Sequence, residues 1–120
     1  MKNALSKDGE NIGIIAKVDN LEAVHQFATI LKYADAVIVL RNELTFELQP
    51  EKLMLAQKWM VQTANMASVP IFLQSQVLES QISGNTLEAR QETQDISQSV
   101  LDGADAFILS HETSISTNGV

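Results

Sequence analysis

Short apolar runs, each followed by polar residues, recur four times along this chain. They cover residues 12–18, 36–40, 70–76 and 105–109. Runs this short and this rich in Val, Ile, Leu and Phe are typical of strands that are buried on both faces. Pro70 fits the first residue of a strand, because a proline there removes no interior ladder hydrogen bond. The pattern therefore predicts four β-strands.

The segments between these runs carry apolar residues at helical spacing instead. The first predicted helix covers residues 19–33, with an apolar stripe of Leu21, Val24, Phe27 or Ala28, and Leu31. The second covers residues 51–66, with Leu53, Ala56, Met60 and Ala64 on one stripe. The third covers residues 86–101, with Ala89, Ile96 and Val100 facing inward. Asp19 or Asn20 is placed to cap the first helix, Pro50 fits the first turn of the second, and Gly103 ends the third.

Strands that alternate with helices of crossover length predict parallel βα units with covered faces, and thus an α/β fold. Residues 104–109 repeat the pattern of residues 34–39, so the chain repeats a structural unit. In a parallel array the carboxyl ends of all strands lie at one edge, where barrels and open α/β sheets place their sites.

Polar residues gather at the predicted carboxyl ends of all four strands. They are Lys17 and Asp19, Arg41 and Glu43, Ser75 and Gln76, and His111 and Glu112. Strand alternation places Lys17 and Asp19 on the same side of the first strand.

Two of these residues, Asp19 and Glu43, are carboxylates from neighbouring strands. Hard oxygen ligands from separate loops suit Mg²⁺, although by composition alone helix capping or surface solvation is the preferred explanation of such a pair. Lys17 is placed for an anion clamp or for a structural pair with Asp19. Ser75 has no nearby general base and is not argued as a nucleophile. His111 is interpreted as a solvated turn residue.

Composition and net charge limit the kinds of molecule that the chain is expected to bind. The chain has 120 residues, 45% of them hydrophobic, a formal net charge of −7 and no cysteine. One soluble domain fits these values, and the acidic balance argues against a nucleic-acid or anionic-membrane surface. Without cysteine there is no disulfide or zinc–thiolate site. No signal peptide or membrane-spanning run is present, so a cytoplasmic location is expected.

Four motifs, in order, resemble pyruvate kinase. The segment IIAKVDNLEAV resembles the family's strand with the catalytic lysine and first metal carboxylate, and ADAVIVLRNELTFELQPEKL resembles the segment with Ala-Arg-Gly-Asp-Leu-Gly. The segment PIFLQSQVLES resembles the strand with Ala-Thr-Gln-Met-Leu-Glu-Ser. The segment VLDGADAFILSHET resembles the eighth strand with Ser-Gly-Glu-Thr. The resemblance implies half of a TIM (β/α)₈ barrel, strands five to eight. Residues 1–120 are then a partial barrel domain, and the family's lid and C-terminal domains are absent.

The resemblance also implies roles for individual residues. Lys17 matches the lysine that stabilises the phosphoryl group in flight, and Asp19 and Glu43 match the two Mg²⁺ ligands. Asn42 and Glu43 match the turn whose backbone amides hold the carboxylate of phosphoenolpyruvate or pyruvate. Ser75 matches the threonine that contacts substrate and lies on the route of enolate protonation. The family's K⁺ site lies outside this segment.

The motifs depart from the family's pattern at several of these positions. Where the family has Glu and Asp as metal ligands, this chain has Asp19 and Glu43, and octahedral Mg²⁺ tolerates displaced ligands poorly. Glycines of the family become Asn42, Thr45 and His111, and a side chain at Asn42 obstructs the close approach of substrate to backbone.

Three functions remain open from the sequence. The first is a piece of a pyruvate kinase, which transfers a phosphoryl group from phosphoenolpyruvate to ADP with Mg²⁺ and K⁺. We expect this segment to be inactive by itself and to self-associate or join a larger assembly. The second is a non-catalytic pyruvate kinase relative that acts as a structural or binding partner. The third is another phosphoenolpyruvate- or pyruvate-handling barrel, such as an aldolase-like lyase.

Overall fold

The computed structural model of the chain describes residues 12–74 and 86–110. Its elements, in chain order, are β1 Ile15–Val18, α1 Leu21–His25, α2 Phe27–Ile30, β2 Ala36–Leu40, α3 Arg41–Leu44, α4 Pro50–Met66, β3 Ile71–Gln74, α5 Thr86–Asp102 and β4 Ala106–Ile108. All four predicted strands are present. The predicted site residue Ser75 and the strand-end residues Gln76, His111 and Glu112 lie outside the described residues.

The four strands form one parallel sheet in the order β1-β2-β3-β4. Each strand pairs with the next one along the chain, as in a series of successive βα units. The prediction of an α/β fold with four parallel βα units is therefore confirmed.

One face of the sheet carries the hydrophobic core. Its inward strand residues are Val18, Val37, Val39, Ile71 and Leu73, all fully buried. They pack against apolar side chains of the helices, among them Phe27, Met60, Val61 and Ala64. The opposite face is more open, since Ile15 is 52% exposed and Lys17 is also exposed. Strand alternation thus separates a helix-covered face from an accessible one.

The first predicted helix is divided in two at Gln26, which has φ −91° and ψ 9° and ends α1. The predicted cap is confirmed at Asn20, whose side chain accepts a hydrogen bond from the backbone N–H of Ala23 at 2.8 Å. After the break Phe27 is fully buried, and its ring centroid lies 5.8 Å from that of Trp59. The predicted helix is therefore present as two short helices, and its expected inward residues Val24, Phe27 and Leu31 are all buried.

Helix α4 follows the sequence pattern closely, with Pro50 in its first turn. Leu53, Met60 and Ala64 are buried as expected, and Gln57 is buried beside them.

The inward face of α5 differs from the prediction. Val100 was expected to point inward but is 55% exposed, and Ser99 is fully buried in its place. Gln57 Nε2 of α4 donates a hydrogen bond to Ser99 Oγ at 3.0 Å. The two helices therefore meet through a polar pair, which an apolar periodicity does not detect.

The repeated Ala-Asp-Ala motif marks the start of two strands. Asp35 Oδ2 accepts a hydrogen bond from the backbone N–H of Ile14 at 2.8 Å, and Asp105 Oδ2 accepts one from that of Ile71 at 2.8 Å. In return the N–H of each aspartate donates to the carbonyl of the same partner residue. The repeat thus extends the ladder at the amino end of the strand, first between β1 and β2 and then between β3 and β4.

None of the helices in the described part of the chain is long and apolar enough to cross a membrane.

Candidate active site

The candidate site lies at the carboxyl ends of β1 and β2. Lys17 of β1 is in register with Ile38 of β2, and Val18 is in register with Val39. Because Val18 points into the core, Lys17 before it belongs to the opposite, accessible side. Asp19 directly follows the end of β1 and is exposed. The placement of Lys17 and Asp19 on one side stays a prediction, because β1 ends at Val18 and strand alternation does not extend to Asp19.

Helix α3 begins at Arg41, directly after β2, and carries the other two predicted residues. Asn42 and Glu43 are both exposed, whereas Leu44 is fully buried and anchors the short helix in the core. The hydroxyl of Thr45 donates a hydrogen bond to the carbonyl of Asn42 at 2.5 Å. This contact stabilises a tight turn in which the exposed side chains of Asn42 and Glu43 project from the end of the strand.

A direct contact joins the two loops that hold the carboxylates. Glu47 Oε2, after α3, accepts a hydrogen bond from the backbone N–H of Leu21 at 2.6 Å. Leu21 is two residues after Asp19, and Glu47 is four residues after Glu43. The structure thus brings the loop of Asp19 against the loop of Glu43, as expected for neighbouring parallel strands.

The candidate side chains are not paired with one another. Among the described residues, no hydrogen bond or ion pair joins Lys17, Asp19 and Glu43, and Asp19 Oδ1 accepts a bond only from Asn20 Nδ2, at 3.0 Å. The structural Lys17–Asp19 pair considered from the sequence is therefore not formed. Exposed and unpaired charges of both signs leave the site accessible to a charged ligand.

The oxygen ligands at this site can be compared with those that a divalent cation requires. In residues 12–74 and 86–110 no three His, Cys, Asp or Glu side chains come together as a metal cage. Mg²⁺ commonly binds through one or two carboxylates and completes its octahedron with waters and substrate phosphates. The two exposed carboxylates Asp19 and Glu43 fit that mode of binding, and they do not fit a closed, all-protein site.

Sequence reasoning missed two contacts that hold the Glu43 turn. Arg41 Nη1 forms an ion pair with Asp95 Oδ2 of α5 at 2.6 Å, and Glu47 bonds to Leu21 as described above. The sequence pattern places Arg41 at the end of a strand and indicates no partner for it. Asp95 lies 54 residues further along the chain, and no local pattern could indicate the pairing.

A parallel βα array with its polar residues at the carboxyl ends of the strands is the architecture of (β/α)-barrel enzymes. The family model described as "Pyruvate kinase, barrel domain" matches residues 1–118. The chain belongs to the pyruvate kinase family.

Individual relatives support this membership. The chain is 42% identical to pyruvate kinase PKLR of Rattus norvegicus and 40% identical to pyruvate kinase of Eimeria tenella. Both alignments cover 94% of this chain. The crystal structure of Cryptosporidium parvum pyruvate kinase superimposes with a TM-score of 0.80 and 38% identity, covering 97% of this chain and 24% of that one. The chain spans about a fifth of the length of these relatives, 20% of the Rattus norvegicus protein and 21% of the Eimeria tenella protein.

Proposed function

We propose that this chain contributes part of a pyruvate kinase active site, which transfers a phosphoryl group from phosphoenolpyruvate to ADP and yields pyruvate and ATP in glycolysis. The observation that carries the proposal is the juxtaposition of Lys17, Asp19 and the Asn42–Glu43 turn at the carboxyl ends of two hydrogen-bonded parallel strands. Family membership then relates these positions to phosphoryl-transfer chemistry.

Lys17 acts as the cation of the site. Its exposed ammonium group is held on the accessible face of the sheet and has no ion-pair partner among the described residues. A mobile, compact positive charge neutralises the phosphoryl group as that group leaves the enolate oxygen for the terminal phosphate of ADP. Positioning and charge neutralisation supply most of the catalysis in such transfers.

Asp19 and Glu43 would hold Mg²⁺, which would supply positive charge that neutralises the transferring phosphoryl group. The backbone amides of Asn42 and Glu43 bind the carboxylate of phosphoenolpyruvate or pyruvate. Ser75 contacts the substrate and serves the protonation of the enolate. This protonation completes the pyruvate product after the phosphoryl group has left.

The residues described here form only part of a catalytic centre. The K⁺ ligands, most nucleotide contacts and the lid that excludes water lie in segments that this chain does not match. We propose that residues 1–120 are a partial barrel domain, inactive by itself, which works within a larger cytoplasmic assembly or associates with further copies.

A non-catalytic role is the second candidate, and the turn at Asn42 favours it. A side chain stands where the family has glycine, and the Thr45 hydroxyl fixes the conformation of that turn through the Asn42 carbonyl. A substrate carboxylate that approaches the Asn42 backbone then meets the Asn42 side chain. In this reading the chain acts as a binding or structural partner in a larger assembly.

Chemical-shift mapping tests the primary proposal. Phosphoenolpyruvate with Mg²⁺ is titrated into the ¹⁵N-labelled chain, and the amide signals of Asn42 and Glu43 are expected to shift. The same titration of Lys17→Met should give a weaker response, because the charge that faces the phosphate is removed. Lys32→Met is the matched control, since Lys32 is an exposed lysine that follows α2.

Shifts in the Asn42–Glu43 turn that depend on Lys17 and not on Lys32 support a retained substrate site. Absence of shifts in the turn, or equal responses of the two variants, contradicts the substrate-binding proposal and favours the non-catalytic one.

A further inference from the structure

The turn that carries Glu43 is fastened at both ends by charged side chains outside the candidate site. We propose that Arg41 with Asp95, and Glu47 with the backbone of Leu21, form a two-point clamp that positions the Glu43 turn relative to Asp19. The consequence for metal binding rests on the proposed function. The clamp itself is a property of the fold.

The first point of the clamp is the ion pair between Arg41 and Asp95. Its Nη1 to Oδ2 distance is 2.6 Å, and the two side chains are 14% and 26% exposed. Arg41 Nη2 also approaches Met54 Sδ at 3.9 Å. A short pair shielded from water is screened less than a surface pair, so it holds its geometry better.

The first point also fixes where the turn begins. Arg41 is the first residue of α3 and follows the last residue of β2, so its side chain joins the end of the strand to helix α5. The buried atoms Arg41 Nε and Asp95 Oδ1 have no hydrogen-bond partner among the described residues. The Arg41–Asp95 contact is therefore the ion pair that the described residues give to both side chains, and its loss leaves two partly buried charges poorly solvated.

The second point of the clamp is the bond from the Leu21 N–H to Glu47 Oε2 at 2.6 Å. Leu21 is the first residue of α1, whose cap is Asn20. A carboxylate is favourable at this end of the helix, because the first backbone N–H groups lack partners within the helix. The bond therefore ties the segment after Glu43 to the segment after Asp19.

Together the two contacts restrict the Glu43 turn from opposite ends. Arg41 precedes Asn42 and Glu43, and Glu47 follows them. Residues that hold metal ligands in place without touching the metal typically contribute about 10- to 100-fold to metal affinity, which is lost when they are replaced. Neither Arg41 nor Glu47 needs to touch a ligand to have this effect, so both are positioning residues.

Amide hydrogen exchange tests the clamp without any ligand. The reporter amides are those of Thr45 and Leu48, which donate to the carbonyls of Arg41 and Leu44. We expect Asp95→Asn and Glu47→Gln each to speed exchange at these amides by about tenfold, since each removes a charge-assisted bond. Exchange in the middle of α4 should stay unchanged.

Two matched controls isolate the effect. Lys58→Gln removes the Lys58–Asp102 ion pair, a contact of 3.1 Å that also joins α4 and α5 but does not reach the turn. Glu51→Gln removes one exposed acidic charge in the first turn of α4. Neither control should change exchange at Thr45 or Leu48. If Asp95→Asn fails to fold, Glu47→Gln still decides, because Glu47 is exposed and its replacement buries no new group.

Mn²⁺ binding, detected by electron paramagnetic resonance, provides the second readout. Both clamp variants should bind Mn²⁺ at least about tenfold more weakly than the parent chain, and both controls should bind it equally well. Unchanged exchange at the turn, or faster exchange spread uniformly through the sheet, overturns the clamp. If the parent chain binds Mn²⁺ and the variants retain its affinity, the positioning role is overturned as well. If the parent chain binds no Mn²⁺, the metal proposal fails and the exchange experiment decides the clamp.

Discussion

At the scale of single residues, a few side-chain to backbone bonds fix the local geometry of this chain. Each of these bonds satisfies a backbone group that a helix or strand leaves open. They are made by the Asn20 cap, by the strand-start aspartates Asp35 and Asp105, and by the Thr45 hydroxyl. Their residue types are those that favour caps and turns, because short polar side chains reach nearby backbone groups.

The cap at Asn20 leads to a measurable prediction. Asn20→Ala should lower the free energy of unfolding by about 1 kcal/mol, because the N–H of Ala23 loses its acceptor. Asn20→Ser should recover most of the loss, since serine also caps well. Urea denaturation followed by circular dichroism measures both variants, and an alanine variant as stable as the parent would show that the cap is unimportant.

Asp105 gives a second prediction at this scale. Asp105→Ala should destabilise the chain by about 1.5 kcal/mol, because the hydrogen bond from Ile71 N–H to a charged acceptor is lost. Asp105→Asn should cost less, as an amide oxygen still accepts the bond. If the two variants lose the same free energy of unfolding, the charge of Asp105 matters and its acceptor geometry does not.

The residue scale is also where sequence reasoning was weakest. The opposite orientation of Lys17 and Val18 follows from strand geometry alone. The contacts of Arg41 with Asp95 and of Glu47 with Leu21 span 54 and 26 positions, and they depend on how whole elements pack. The roles of Ser75 and of the two metal carboxylates stay predictions.

At the scale of elements, apolar periodicity located the four strands and the long helices. It was wrong at Gln26, where one predicted helix is divided into two, and at Val100, where Ser99 is the inward residue. The difference at Val100 arises from the contact between Gln57 of α4 and Ser99 of α5. A pattern read along one segment contains no information about the partner against which that segment packs.

The end of α5 offers a test of backbone conformation. Gly103 has φ 100°, and a Cβ there would lie 2.5 Å from Asn65 Nδ2. Gly103→Ala should therefore destabilise the chain by about 1–2 kcal/mol, through left-handed backbone strain and the displaced Asn65 side chain. Gly13→Ala is the control, because a Cβ at Gly13 meets no atom within 4 Å. Thermal melts of the two variants that coincide would contradict this account.

At the scale of the whole molecule, the described sheet is open. β1 pairs with β2 and β4 with β3, and within the described residues neither end strand has a second neighbour. The accessible face includes Ile15, which is 52% exposed. Unpaired strand edges beside exposed apolar side chains favour association with another chain.

We therefore expect the 120-residue chain to self-associate at micromolar concentration. Because each copy has a net charge of −7, added salt should strengthen the association by screening the repulsion between copies. Sedimentation equilibrium at low and high ionic strength measures this effect. A stable, well-folded monomer under both conditions would contradict the prediction.

The isolated chain should also form no pyruvate from phosphoenolpyruvate and ADP. Catalysis by positioning fails when most of the groups that position the nucleotide are missing, and the chain spans only about a fifth of its relatives. A coupled assay of pyruvate formation, with a Lys17→Met preparation to reveal contaminating enzyme, measures the activity. Turnover in the parent chain that disappears in this variant would disprove the expected inactivity.

The central claim is that Asp19 and Glu43 meet in one cleft as ligands of a divalent cation, and Mn²⁺ titration followed by electron paramagnetic resonance tests it most directly. The account predicts one Mn²⁺ site in the parent chain, weakened at least about tenfold by Asp19→Asn or by Glu43→Gln, because a neutral amide is a poor ligand for a hard cation. The exposed acid Glu51 serves as the control, and Glu51→Gln should leave the affinity unchanged. Mn²⁺ affinity that is the same in the parent and in both ligand variants would contradict the claim.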